Sequence, residues 1–146
     1  MFQGSGIQMH STDQCRLHAA RLLPGQDLRG EIEKLTALGN IRAGFVLSAV
    51  GSLKRVVLRL ANQKATHMME GHFEIVSLTG TLGPDGLHLH MAVSDGKGIT
   101  TGGHVVEGCV VFTTVELVVG EAVGLIVHRE TDPHTIFKEL SIQRAQ

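Results

Sequence analysis

Three histidines carry the clearest chemical signal in this 146-residue chain. His88 and His90 stand two apart in the run Leu87-His88-Leu89-His90-Met91-Ala92-Val93-Ser94. The alternation is that of a strand, so both imidazoles project from one face. His104 lies beyond a Gly-rich stretch, where a returning hairpin could bring it to the same region. Three imidazoles suffice for zinc or another divalent transition metal, with a position left open for water or a ligand. Against this stands the abundance of histidine, nine in all. By itself, His-x-His more often marks surface or half-buried rings than a ligand set. Glu74, Asp95, Glu107 and Glu116 could orient such imidazoles, and Glu74 or Glu116 could act as a general base. All four read equally well as solvated or hydrogen-bonded carboxylates.

Other chemistries find less support. Gly96-Lys97-Gly98 and Gly102-Gly103 suggest a phosphate cradle, but no Gly-x-x-x-x-Gly-Lys-[Ser/Thr] element accompanies them, and they read as turn glycines. Ser48, Ser52 and Ser94 lack a Gly-x-Ser-x-Gly elbow. Cys109 sits in an apolar strand, where a thiol is packing rather than a nucleophile. Cys15 and Cys109 have no redox or metal spacing, and the expectation is free thiols in a reducing cytoplasm. The charge, 13 Lys and Arg against 14 Asp and Glu, makes one chain a poor match for a phosphate backbone. Aromatic residues are 3%, without Trp or Tyr, which argues against base-stacking recognition of single strands. No apolar run approaches the roughly 20 residues that span a bilayer, and no signal-peptide pattern opens the chain, so no membrane partner is expected.

The elements that must position the histidines can be read in outline. Hydrophobic residues make up 42%, enough for one domain with a core of Val, Leu, Ile and Ala. Residues 1–15 are expected to form a flexible tail, in which Phe2-Gln3-Gly4-Ser5 is a possible foreign remnant, and residues 16–146 the single domain. Arg16 to Leu23 predicts a strand closed by Pro24-Gly25. Asp27 then caps a helix with Leu28, Ile32, Leu35 and Leu38 on its apolar face, stopped at Gly39-Asn40. Ala43 to Val50 and Arg55 to Ala61 predict two strands, and Asn62 to Glu70 a loop. Phe73 to Leu82 and Leu87 to Ser94 form a hairpin about Gly83-Pro84-Asp85-Gly86. A Gly-rich connection over Asp95 to Gly103 follows, then strands Cys109 to Val119, Ala122 to Arg129 and Phe137 to Ile142. Short connections imply a mainly antiparallel sheet. The expectation is an α+β domain of about seven strands, one main helix and short helical segments. One helix cannot cover both faces of such a sheet, and oligomerisation is the natural remedy.

Several blocks together carry a resemblance. Arg21 to Leu28, Val46 to Leu53, Gly71 to Leu82, His88 to Asp95, Gly102-Gly103-His104 and Gly108 to Val119 resemble the plant and prokaryote conserved (PPC) domain, across roughly Arg16 to Ile142. The resemblance implies a homotrimer. Its stand-alone prokaryotic members are commonly labelled DNA-binding, while in plants the domain follows AT-hook motifs and mediates self-association. The AT-hook core Arg-Gly-Arg-Pro is absent here. Gly71, His72, Phe73, Glu74, Ile75 and Val76 match a stretch that plant members use for partner contact, with His72 where Arg is usual. His88, His90 and His104 belong to the prokaryotic pattern, which plant members generally lack, so a role in function is the natural alternative to a role in the fold.

Three readings stand open. One is a homotrimeric DNA-associated or regulatory module, with Arg42, Lys54, Arg55, Arg59 and Lys64 as candidate DNA contacts. Another is a metal-dependent enzyme or small-molecule binder using His88, His90 and His104. The third is a scaffold that recruits protein partners through the Gly71 to Val76 edge.

Overall fold

Helix α1 (Leu28–Leu38) begins where the sequence places it. Both oxygens of the Asp27 carboxylate are used: Oδ1 accepts from the Gly30 amide at 2.9 Å and Oδ2 from the Gly108 amide at 2.7 Å. The first bond caps the helix, worth about 1 kcal/mol, and the second ties that cap to the loop before the strand that starts at Val110. Leu28 and Ile32 are fully buried, and each side chain contributes about 1.5–3 kcal/mol of hydrophobic stabilisation.

The computed structural model describes residues 6–146, so the expectation for Phe2-Gln3-Gly4-Ser5 lies outside them. Within the expected tail, Gln8 exchanges two side-chain hydrogen bonds with the Ile142 backbone, at 3.2 and 3.0 Å. The strands are β1 (Cys15–Leu22), β2 (Gly44–Arg59), β3 (Thr66–Gly83), β4 (Gly86–Ser94), β5 (Thr100–Val105), β6 (Val110–Ala122), β7 (Leu125–Thr131) and β8 (Lys138–Arg144). Every pairing is antiparallel. The fold is thus α+β with a mainly antiparallel sheet. It has eight strands rather than about seven, and among the described residues α1 is the only helix.

Sheet order is β1-β6-β2-β3-β4-β5, and β5 also pairs with the end of β2. That second pairing, Leu58↔Val105 and Arg59↔His104, closes β2, β3, β4 and β5 into a ring. Leu58, Leu89, Met91, Val93 and Val105 are buried with the core that also holds Leu28 and Ile32. Strands β7 and β8 form a separate hairpin, attached to the β3–β4 turn by polar contacts. Asp85 Oδ2 accepts from the Arg129 amide at 3.1 Å and lies 2.9 Å from His128 Nδ1, and the Val127 amide donates to the Arg42 carbonyl at 2.9 Å.

Three expectations are corrected. The two strands expected over 43–61 are one strand, β2, because Gly51-Ser52 forms a bulge instead of a turn: the register with β6 shifts between Gly51 and Leu53. Bulges raise local twist and let a long strand bend around a closing ring. The loop expected over Asn62 to Glu70 shrinks, since β3 already starts at Thr66, pairing with Arg59. The Gly-rich connection also shortens, and Gly102 and Gly103 lie inside β5 rather than in a turn. Asp95 forms the turn itself, its Oδ1 accepting from Lys97 and Ile99 amides at 2.8 and 2.9 Å.

Gly80 is a position where this framework tolerates no side chain. It has φ +145°, and an added Cβ would overlap the His88 carbonyl across the β3–β4 pair. Gly80→Ala is expected to destabilise by more than about 3 kcal/mol through backbone strain and loss of that pairing, read as a lowered midpoint in chemical denaturation.

Candidate metal centre

The ring of strands settles where the histidines go. Leu87, Leu89, Met91 and Val93 of β4 are buried, so His88 and His90, at alternate positions, face outward from the core. His90 lies directly across from His104 in the β4–β5 register, and His104 directly across from Arg59 in the β5–β2 register. Cross-strand partners share a face with Cβ atoms about 5 Å apart. The three ring centroids form a near-equilateral triangle of 5.0, 5.4 and 5.6 Å, and one nitrogen from each ring lies within 4.8 Å of the others.

The donor set fits a transition metal. Zinc–imidazole bonds of about 2.0–2.1 Å in a tetrahedral site need nitrogens about 3.3 Å apart, a distance that rotation of exposed or half-buried rings can supply. His104 Nδ1 is buried and has no hydrogen-bond partner among the described residues. A buried polar atom of this kind costs about 1–3 kcal/mol unless something engages it. Two of the rings, His104 and His88, are also biased toward the ligating, neutral form. Burial pushes the His104 pKa down to about 4, with the Arg59 guanidinium adding to the effect. Burial, then Arg129, lowers that of His88.

The other candidate residues distribute themselves differently. Glu107 lines a hollow with His104 and Arg29. Glu74 and Asp95 line a separate depression with Ser52, His72 and Phe112, and Glu116 lies on β6 across from Val50 and Arg21. Neither Glu74 nor Glu116 lies with the triad. Glu139 of β8 acts on His88 through its charge, a neighbour that nothing in the local sequence announces. The stretch Gly71 to Val76 lies inside β3, where Glu74 pairs with Ser52 of β2 and Ser94 of β4, Phe73 with β2 and Ile75 with β4. β3 is an internal strand of the sheet, and the stretch presents exposed Val76 and His72, whose ring meets Phe112 at 4.7 Å.

The five basic residues do not converge in one chain. Arg42 precedes β2 and Arg59 ends it, so they sit at opposite ends of a 16-residue strand. Arg55 Nε donates to the Gly108 carbonyl at 2.9 Å, and Lys54 is exposed. Arg59 and Lys64 flank a cleft of about 780 Å³ that also contains His90 and His104. Cys109 is buried, and burial raises its thiol pKa, in keeping with packing. Among the described residues, no helix is long and apolar enough to cross a membrane.

Residues 9–123 match the sequence profile of the Plants and Prokaryotes Conserved (PCC) domain. Among curated proteins, the chain is 45% identical over 133 residues to the bifunctional protein GlmU of Synechococcus sp. (strain JA-3-3Ab). That alignment covers 91% of the chain but 21% of the relative, so the chain spans about a fifth of that protein's length. A hypothetical protein from Salmonella cholerae-suis shares the structure with TM-score 0.92 and 40% identity, covering 94% of this chain and 100% of that one. The metal-containing protein AF0104 from Archaeoglobus fulgidus shares the fold with TM-score 0.81 at 23% identity, covering 91% and 98%.

The depressed His104 pKa has a consequence for the metal-free protein. The unfolded imidazole takes its proton near 6.5 and the folded one near 4, so between these values the unfolded chain binds more protons. Stability is then complete above about pH 6.5 and falls as pH drops toward 4. Urea midpoints of metal-free protein should fall across this window, and fall less in His104→Gln.

Proposed function

The chain belongs to the Plants and Prokaryotes Conserved domain family, and from that premise we propose that it is a homotrimeric binding module built around a histidine metal centre. The observation that carries the reading is the convergence of His88, His90 and His104, with ligand atoms within 4.8 Å of one another. Zinc or another divalent transition metal suits three imidazoles. When bound, such an ion would supply Lewis-acid polarisation of an oxygen ligand. The protein's part is to hold three rings on paired strands, keep protons off His88 and His104 by burial, and leave one side open to the cleft. A metal-dependent enzyme or small-molecule binder is the functional class this arrangement favours, and the Archaeoglobus relative described as metal-containing supports it.

Trimer formation draws support from the sheet face opposite α1. Leu17 and Val50 are 64% and 60% exposed there, with exposed Leu47 next to Gly120. Leu17 pairs with Gly120, and Val50 with Glu116, on the side of β6 away from buried Val115, Leu117 and Val119. An exposed apolar sheet face of this kind is a usual marker of association.

Elemental analysis of protein purified without an affinity metal column tests the proposal. About one ion per chain is expected in the wild type, near zero in folded His90→Ala, and sedimentation should give three times the 15.7 kDa of one chain. Metal-free protein that stays unloaded after incubation with zinc would overturn the metal reading.

Duplex DNA binding is the second reading, favoured by the label that stand-alone members of the family carry and by Arg59 and Lys64 sharing one cleft. A trimer would bring three copies of each basic group together. Binding should then weaken steeply with salt, roughly one logarithmic unit of slope per phosphate neutralised. Salt-insensitive or undetectable binding in a titration across ionic strengths would sink it.

A further inference from the structure

The cleft beside the triad has a chemistry of its own. Its walls include Arg59, Lys64, His90, His104, Gly102 and Phe137, and no carboxylate lines it. Arg59 stands directly across from His104, and among the described residues its guanidinium makes no ion pair or side-chain hydrogen bond. Most other arginines near the fold's polar contacts are engaged: Arg16 with Glu121, Arg29 with Glu33, Arg55 with a carbonyl. On the outward face next to the His90–His104 pair, the register places Ala92 across from Gly102, two residues too small to fill the space. Phe137 precedes β8 and is 69% exposed, an aromatic face on the cleft wall without a protein partner covering it.

We infer that this cleft binds a small organic anion, a carboxylate or phosphate carried on an apolar body, with its charged end between the histidine centre and Arg59 and its body against Phe137. The inference rests on the metal reading above and gives it a substrate class. A cationic ligand would meet Arg59 and Lys64 with no carboxylate on the cleft wall. A neutral one would leave Arg59 unpaired on desolvation, whereas a carboxylate or phosphate accepts the bidentate fork that guanidinium presents. A volume of about 780 Å³ exceeds what an inorganic anion fills and falls within the usual range of about 300–1,000 Å³ for small-molecule sites.

Cobalt-loaded protein makes the test direct, because the visible spectrum of the ion reports changes in its ligands. Titration with benzoate and with phenyl phosphate should produce a saturable spectral change, and the tighter of the two identifies the charged group. Arg59→Gln should bind cobalt with unchanged stoichiometry while losing about tenfold or more in anion affinity, the scale of one charge-assisted hydrogen bond. Phe137→Ala should weaken benzoate more than acetate. Cobalt-loaded protein unmoved by millimolar amounts of either anion, or Arg59→Gln with wild-type affinity, would overturn the anion site and leave the metal centre standing. Protein that takes up no cobalt would remove both.

Discussion

The register between β4 and β5 is the constraint on which the site depends. His90 faces His104 only because Met91 pairs with Gly103 and Val93 with Thr101. A slip of one residue would turn His104 toward the core and Val105 toward solvent. Burial prevents that slip: Leu89, Met91, Val93 and Val105 all lie inside. The two pairs that join β5 to β2 then lock the arrangement from its other side. The hydrophobic alternation that stabilises the ring of strands is therefore the same pattern that collects the imidazoles. No separate device is needed to bring them together.

Electrostatics and burial act in the same direction at this centre. A half-buried imidazole beside a guanidinium resists protonation, and neutral imidazole is the form that donates a lone pair. The arrangement costs stability, since buried His104 Nδ1 has no partner among the described residues. Natural folds tend to keep unsatisfied groups of this kind where a ligand engages them. The contrast with Glu121 is instructive. That carboxylate is nearly buried too, but His18 lies 3.0 Å away and Arg16 3.3 Å away, so its polar demand is met within the chain and it offers nothing to a ligand.

Much of this was legible in the sequence, and the limits have physical causes. Asp27, the Leu28–Ile32–Leu35 spacing and Gly39 mark the helix because capping and amphipathic periodicity are local. The Gly83-Pro84-Asp85-Gly86 turn is local as well. Gly51 and Gly102-Gly103 misled for one reason: a glycine says that the backbone needs freedom or close approach, without saying whether a turn, a bulge or a crowded strand supplies the need. The triad was visible as residue types, since His-x-His on a strand fixes a common face. Arg59 was visible only as one charge among several, and Phe137, Arg129 and Glu139 not at all as neighbours of the site. Their positions depend on a hairpin docking across the fold, which no local pattern encodes.

That hairpin has an evolutionary reading. Strands β7 and β8 begin at Leu125, just past the stretch 9–123 that carries the family profile, and they form a sheet of their own. Their attachment runs through a few groups, Asp85, the Arg42 carbonyl and Gln8. Such a piece can be reshaped, lengthened or exchanged without disturbing the strand register that holds the imidazoles. The molecule thereby divides into a frame that keeps the histidines in place and a lightly attached flank beside them. A lineage could change what it recognises by redrafting some twenty residues and leaving the rest of the fold as it found it.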